Sequence, residues 1–137
     1  MLDRSQEYEK MAGVELEHWW YETLHRQVLS RLEATFKYKK ISILDAGCGT
    51  GGLLLHLQQN GYHDIYGFDL SNDAVKYCIE RDLTVETHNL NELSDAFAGI
   101  FFDVIISNDT MYYLNVNEIK VLLDSCVERL KPDGLLI

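Results

Sequence analysis

Positive charge is scarce in this chain. Twelve lysines and arginines face 22 aspartates and glutamates over 137 residues, a formal net charge of −10. Such a surface repels polyanions, which disfavours nucleic acid and an anionic membrane as partners. Cysteine is scarce too. Cys48, Cys78 and Cys126 are odd in number and widely spaced, with no CxxC pair and no Cys/His cluster at metal-ligand spacing. That pattern argues against a disulfide scaffold, offers no metal site and points to a reducing compartment. No apolar run is long enough to span a bilayer, and the N-terminus, MLDRSQEYEK, lacks the apolar region of a signal peptide. There is no internal repeat, low-complexity tract or second-domain linker. The expectation is a soluble, cytoplasmic, single-domain protein over residues 1–137, with a helical segment at 1–38 and a core at 39–137.

What the chain does have is apolar residues, 47% of the total, enough for a core. Short apolar runs alternate with helical patterns, which predicts an α/β class. The organising stretch is residues 41–70, ISILDAGCGTGGLLLHLQQNGYHDIYGFDL. An apolar strand ends in Asp45, a glycine turn follows, and a helix with Leu53, Leu54, Leu55 and Leu57 closes at Gly61. A second strand then runs from Ile65 to Asp69. Around this unit the pattern predicts helix over most of 3–36, split near Gly13. It also predicts a helix capped by Ser71 or Asn72 that buries Ala74, Val75, Cys78 and Ile79, and an edge strand at 84–88. A loop or short helix at 89–99, a strand at 101–107 and an amphipathic helix at 115–130 follow. Lys131-Pro132-Asp133-Gly134 stops that helix, and residues 135–137 begin a fifth strand.

The glycine turn, GCGTGG, satisfies GxGxxG, and Asp69 stands at the interval expected of a dinucleotide site. A carboxylate at the end of the second strand suits a ribose, whose two hydroxyls both donate to it. Asp45 discriminates between ligands. A carboxylate just before the glycine turn is poorly matched to a pyrophosphate, because like charges would meet in a partly buried site. It is well matched to an adenosine that carries a cationic amino group. S-adenosylmethionine has an ammonium, a sulfonium and a ribose, and no phosphate.

The segments ILDAGCGTGG, GFDLS, FFDVIISNDTMYYL and LKPDGLLI, in this order and spacing, resemble the successive motifs of the class I S-adenosylmethionine-dependent methyltransferases. The methyltransferase-11-like, small-molecule branch is nearest. The resemblance covers residues 41–137, and the helix containing HWWY is similar to the N-terminal helix of such enzymes. It implies a Rossmann-like αβα sandwich with a mainly parallel sheet of about five strands in the order 3-2-1-4-5, lacking the usual strands 6 and 7. It also implies a function, methyl transfer to a small-molecule acceptor with S-adenosylhomocysteine as product and no metal. By residue, the resemblance implies that Asp45, Gly47, Cys48 and Gly49, with Thr50, wrap the methionine moiety. Asp69 would hold the ribose and Leu70 would lie against adenine. Asn89 and Leu90 would stand near the adenine amino group, and Asn108 would face the methionine end.

Methyl transfer needs a base only when the acceptor must lose a proton. The candidates are His18, Tyr112 and Tyr113, followed by His25; each could instead be a packing residue. Many relatives carry Glu-His where this chain has Tyr112-Tyr113, so a histidine base is missing at that place. The aromatic cluster His18-Trp19-Trp20-Tyr21 reads either as rings packed onto the sheet or as a lid, in which case Trp20 and Tyr21 would touch the cofactor. His56, His63 and His88 read as solvated or capping, and Asp103 as structural. Two rival functions remain open on these residues: an NAD(P)-binding oxidoreductase, and a non-catalytic, truncated cofactor-binding or interaction module. The chain stops inside an apolar strand, which would leave a sheet edge bare. The expectation is a piece of a longer chain, the alternative a homo-oligomer through that edge.

Overall fold

Burial along one four-residue strand decides the architecture. In β1 (Ile43–Ala46) every residue is buried, and Ile43 and Leu44 belong to different apolar clusters. Both faces of the strand are therefore covered, as a central parallel strand requires. The computed structural model describes residues 4–14, 19–108, 110, 111 and 114–137. Two helices, α1 (Arg4–Val14) and α2 (Trp19–Thr35), precede β1. Then follow α3 (Gly52–Gln59), β2 (Ile65–Asp69), α4 (Asn72–Glu80) and β3 (Val85–Thr87). A 3-10 turn (Leu90–Asp95), β4 (Phe102–Ile106), α5 (Val116–Arg129) and β5 (Leu130–Leu136) complete the chain. The strands form one sheet of order β3-β2-β1-β4-β5, every pairing parallel, which is the order the family resemblance implies.

The helix boundaries follow local chemistry. Ser71 Oγ accepts the Ala74 N–H at 3.3 Å and so caps α4. Asn115 and Glu118 form a reciprocal capping box at the start of α5. Gly61, at φ 93°, supplies the left-handed residue that ends the α3 segment. On one face of the sheet α2 and α3 contribute Val28, Leu32, Leu53, Leu54 and Leu57, and α4 adds Cys78. On the other, Leu122 and Cys126 of α5 pack with Leu93, Phe97 and Phe102.

Several expectations need correction. Ile79 is exposed rather than buried, because α4 covers the sheet edge at β3 and only a narrow stripe of it meets the core. Pairing in β5 begins at Leu130, opposite Phe102, and resumes at Leu135, opposite Val104. Residues 131–134 therefore bulge from the strand instead of merely ending a helix. Pro132 has no N–H to give a ladder, so the bulge is where it fits. Trp19 and Trp20 do not pack onto the sheet. They are 68% and 47% exposed, edge to face with each other.

Two buried polar side chains also escape a pattern reading. Arg129, at the end of α5, sends its guanidinium under the 3-10 turn. It donates to the carbonyls of Leu93, Ser94, Phe97 and Ile100 at 2.7–3.2 Å, five hydrogen bonds in all. His25 is 4% exposed on the inner face of α2, its ring 5.6 Å from that of His56. Burial, then the neighbouring His56, pushes His25 down to about 4. His56 is itself half-buried and lowered by burial and by Arg26, and its Nε2 has no hydrogen-bond partner among the described residues. It is therefore not the solvated or capping residue its sequence context suggests.

Replacing Arg129 with Met, which keeps the apolar stem, strips charged donors from buried carbonyls and should cost about 3 kcal/mol. Urea unfolding of Arg129→Met reads this directly, and a loss under about 1 kcal/mol would refute the account. His25 predicts an acid limb. The unfolded chain takes up its proton near pH 6.5 while the fold refuses it until about pH 4. Stability is thus full above pH 6.5 and falls between those values, by roughly 3 kcal/mol. His25→Gln should lose less stability than the parent between pH 7 and 4.5, and parallel denaturation curves would contradict this.

Candidate functional site

The turn between β1 and α3 is a run of left-handed glycines. Gly47, Gly49 and Gly51 have φ of 82°, 56° and 86°. Side chains are also excluded by space: a Cβ on Gly47 would lie 2.6 Å from Thr110 Cγ2. The turn is fastened to the end of β2. The N–H groups of Gly47 and Cys48 both donate to the Phe68 carbonyl at 2.9 Å. The Asp69 carboxylate completes the attachment. Its Oδ2 accepts the Gly49 N–H at 2.9 Å and its Oδ1 accepts the Ser71 N–H at 3.0 Å. One side chain thus ties together the glycine turn, the tip of β2 and the start of α4.

A cavity of about 1100 Å³ opens above this junction, at the C-terminal ends of the strands. It gathers residues far apart in sequence: Asp45 from β1, Gly47, Cys48 and Gly49 from the turn, Asp69 and Leu70 from the end of β2. Asn89 and Leu90 follow β3, Asn108 follows β4, and Tyr21 comes from α2. Trp20, grouped with these from the sequence, does not line the cavity. Consecutive helical residues point about 100° apart, so Tyr21 and Trp20 cannot share one direction. The three candidate bases, His18, Tyr112 and Tyr113, lie outside the described residues.

Other lining residues carry no motif. Arg4, Tyr8 and Met11 reach over the cavity from α1, and Leu24 and His25 from α2. His88 also lines it, its Nε2 2.6 Å from Glu86 Oε2 and its Nδ1 3.5 Å from Glu92 Oε2. That ring is oriented by two carboxylates rather than solvated. A shallower groove of about 950 Å³ runs along α2 and shares Leu24 and Asn108 with the cavity.

The electrostatics favour a cationic or hydroxylic ligand. Asp45 is 3% exposed at the cavity wall, and Asp69 stands across the turn from it. The Cys48 thiol is held well above its ordinary range, first by its hydrogen bond with Cys78, then by burial and the two nearby aspartates. It stays protonated and is not a nucleophile. Leu53, Phe68, Leu70, Leu90 and Leu114 add apolar surface. Among the described residues no group of three or more His, Cys, Asp or Glu converges as a metal site, and no helix is long and apolar enough to cross a membrane.

Known proteins share this fold. The chain is 30% identical over 135 residues to a malonyl-[acyl-carrier protein] O-methyltransferase of Bacillus cytotoxicus, a match covering 95% of this chain and 44% of that protein. It is 29% identical over 99 residues to phosphoethanolamine N-methyltransferase 3 of Arabidopsis thaliana, covering 69% of this chain and 20% of the relative. Among solved structures, DesVI of Streptomyces venezuelae superposes with a TM-score of 0.77 at 22% identity, over 99% of this chain and 56% of that one. The S-adenosylmethionine-bound amino pentose methyltransferase CalS10 of Micromonospora echinaspora gives 0.74 at 21% identity, over 93% and 53%. This chain therefore spans about half the length of these structures and less than half that of the two curated relatives. The family model of the methyltransferase domain matches residues 43–134, which contain the whole glycine turn, both acidic strand ends and β4. The chain belongs to the methyltransferase domain family.

Proposed function

We propose that the cavity binds S-adenosylmethionine and that the protein transfers its methyl group to a small-molecule acceptor. The observation that carries this reading is the placement of Asp45 and Asp69 on either side of one glycine turn, both facing one cavity. A pyrophosphate would need free N–H groups at that turn. Here the Gly49 N–H is already given to Asp69, and Asp45 adds negative charge beside it. An ammonium suits Asp45 and a ribose diol suits Asp69. Each Asp69 oxygen accepts one backbone N–H and retains a lone pair, so the carboxylate is oriented before a ligand arrives. Leu70, 66% exposed at the rim, gives a flat base an apolar surface to cover. Asn89 makes no side-chain cap to its 3-10 turn, which leaves its amide for the adenine edge.

S-adenosylmethionine supplies an electrophilic methyl group on a sulfonium. The protein's part is to align the acceptor in line with that methyl and to exclude water, since positive charge is lost on the way to the transition state. Asn108 lines both the cavity and the groove along α2, which supports a role for it where an acceptor meets the cofactor. His25 lines the cavity as a neutral imidazole, but with its affinity for protons depressed it is a weak base at neutral pH. Where the acceptor must lose a proton, the role falls to His18, Tyr112 or Tyr113. Acceptors bearing a neutral amine or a carboxylate need no such group.

Isothermal titration with S-adenosylhomocysteine should give saturable binding that NAD does not displace. Absence of heat with this chain and with any longer protein containing it would refute the cofactor assignment. Asp69→Asn puts an amide NH₂ opposite one of two backbone N–H donors and removes the charge from the diol. It should weaken S-adenosylhomocysteine about 10–100-fold, as should Asp45→Asn through loss of the ammonium partner. Affinities within twofold of the parent for both variants would remove the two-carboxylate basis of the assignment.

A further inference from the structure

The helix over the cavity is not built like the rest of the fold. Among the described side chains of α1 none is buried, and the segment is rich in charge, with Arg4, Glu7, Glu9 and Lys10 in a single helix. None of these described side chains belongs to either apolar cluster. Yet Arg4, Tyr8 and Met11 line the cavity, and a Cβ on Gly49 would come within 2.9 Å of Met11 Cε. Through its described side chains, the helix therefore lies directly on the glycine turn with no link to either apolar cluster. An element with few buried apolar contacts sits at the low end of local stability.

What holds it is polar and comes from α4. Arg81, the C-cap residue of α4, donates through Nη2 to the Ala12 carbonyl at 3.3 Å and through Nη1 to the Thr50 carbonyl at 3.0 Å. One guanidinium thus joins the last turn of α1 to the glycine turn. The Glu9 carboxylate hydrogen-bonds the Tyr77 hydroxyl, which burial first and Glu9 next raise above its ordinary range. This gives α1 a second tether one turn along α4. Both acceptors of Arg81 are main-chain carbonyls, and only a forked, planar donor reaches two of them at once.

We propose that Arg81 is a positioning residue for the cofactor: it latches α1 down over the glycine turn so that Met11 and Tyr8 close the cavity on a bound ligand. The latch rests on the cofactor assignment above for its purpose, though not for its existence. A ligand enters when the two Arg81 bonds let go and α1 lifts, and it leaves at a rate set by the same event. Arg81 does not line the cavity itself, so its effect on binding passes through α1 and through the glycine turn that the same guanidinium joins to it.

Hydrogen exchange tests the latch directly. In the ligand-free protein, Arg81→Ala should speed exchange at the amides of residues 4–14 about tenfold or more and leave β1 and β4 as protected as in the parent. Arg81→Lys, able to reach one carbonyl, should fall between. With S-adenosylhomocysteine, Arg81→Ala should raise the dissociation rate about tenfold and raise the association rate with it, because entry and exit wait on the same opening. Met11→Ala and Arg81→Ala should be less than additive, because both act through α1. Unchanged exchange in α1, or equal acceleration in β1 and β4, would overturn the latch, as would full additivity. If the parent binds no S-adenosylhomocysteine, the cofactor assignment fails, while ligand-free exchange still decides whether Arg81 holds α1.

Discussion

The site depends on one carboxylate. Asp69 ends β2 and accepts two backbone N–H groups, one from Gly49 and one from Ser71. Those bonds fix the glycine turn against the sheet and set the start of α4. They also orient the two oxygens toward the cavity. A charged acceptor serving two neutral donors is strong in a half-buried setting. The turn can then adopt its three left-handed glycines without fraying, because its peptides are held by the Phe68 carbonyl and by Asp69. Cavity, turn and second helix are consequences of how β2 ends.

A second level of organisation lies in cationic side chains that serve carbonyls. Arg129 adds charged donors to the carbonyls of the 3-10 turn and of the loop after it, and so steadies the wall that carries Asn89 and Leu90. Arg81 does the same for Ala12 and Thr50 at the opposite rim. In a chain of net charge −10 these two cations are spent on main chain rather than on carboxylates. The reason is geometric: a guanidinium carries five donors in a plane and can bridge carbonyls from separate segments. The cavity is thus framed by the C-terminal ends of the strands and by elements that arginines bridge at two of its rims.

How much was legible depended on the range of the interaction. The strands, the glycine turn, the Ser71 cap and the stop at Gly61 are local patterns, the order 3-2-1-4-5 came with the family resemblance, and the structure has all of them. Asp45 and Asp69 were reachable because each stands toward a strand end, where a parallel sheet points its residues toward one side, and Asn89 and Asn108 were reachable through the family resemblance. Ile79, Trp20, His56, His88 and the bulge at residues 131–134 were not. Each depends on what lies across space from it: an edge strand that offers α4 little to cover, a helix rotation, a second histidine, two flanking carboxylates, a neighbouring strand. Arg4, Tyr8 and Met11 had no signal at all, since a charged, weakly patterned helix does not state what it will lie on.

The sequence by itself therefore determined the kind of site. Two acidic strand ends around a glycine turn suit the proposed cofactor, an adenosine that carries a cationic group and no phosphate. Only the tertiary structure decided how that site is closed. Which helix covers the turn, and which arginine holds it there, follows from contacts 31 and 69 residues apart in the chain. Such contacts leave no periodicity, because the donor meets main-chain carbonyls that every residue possesses.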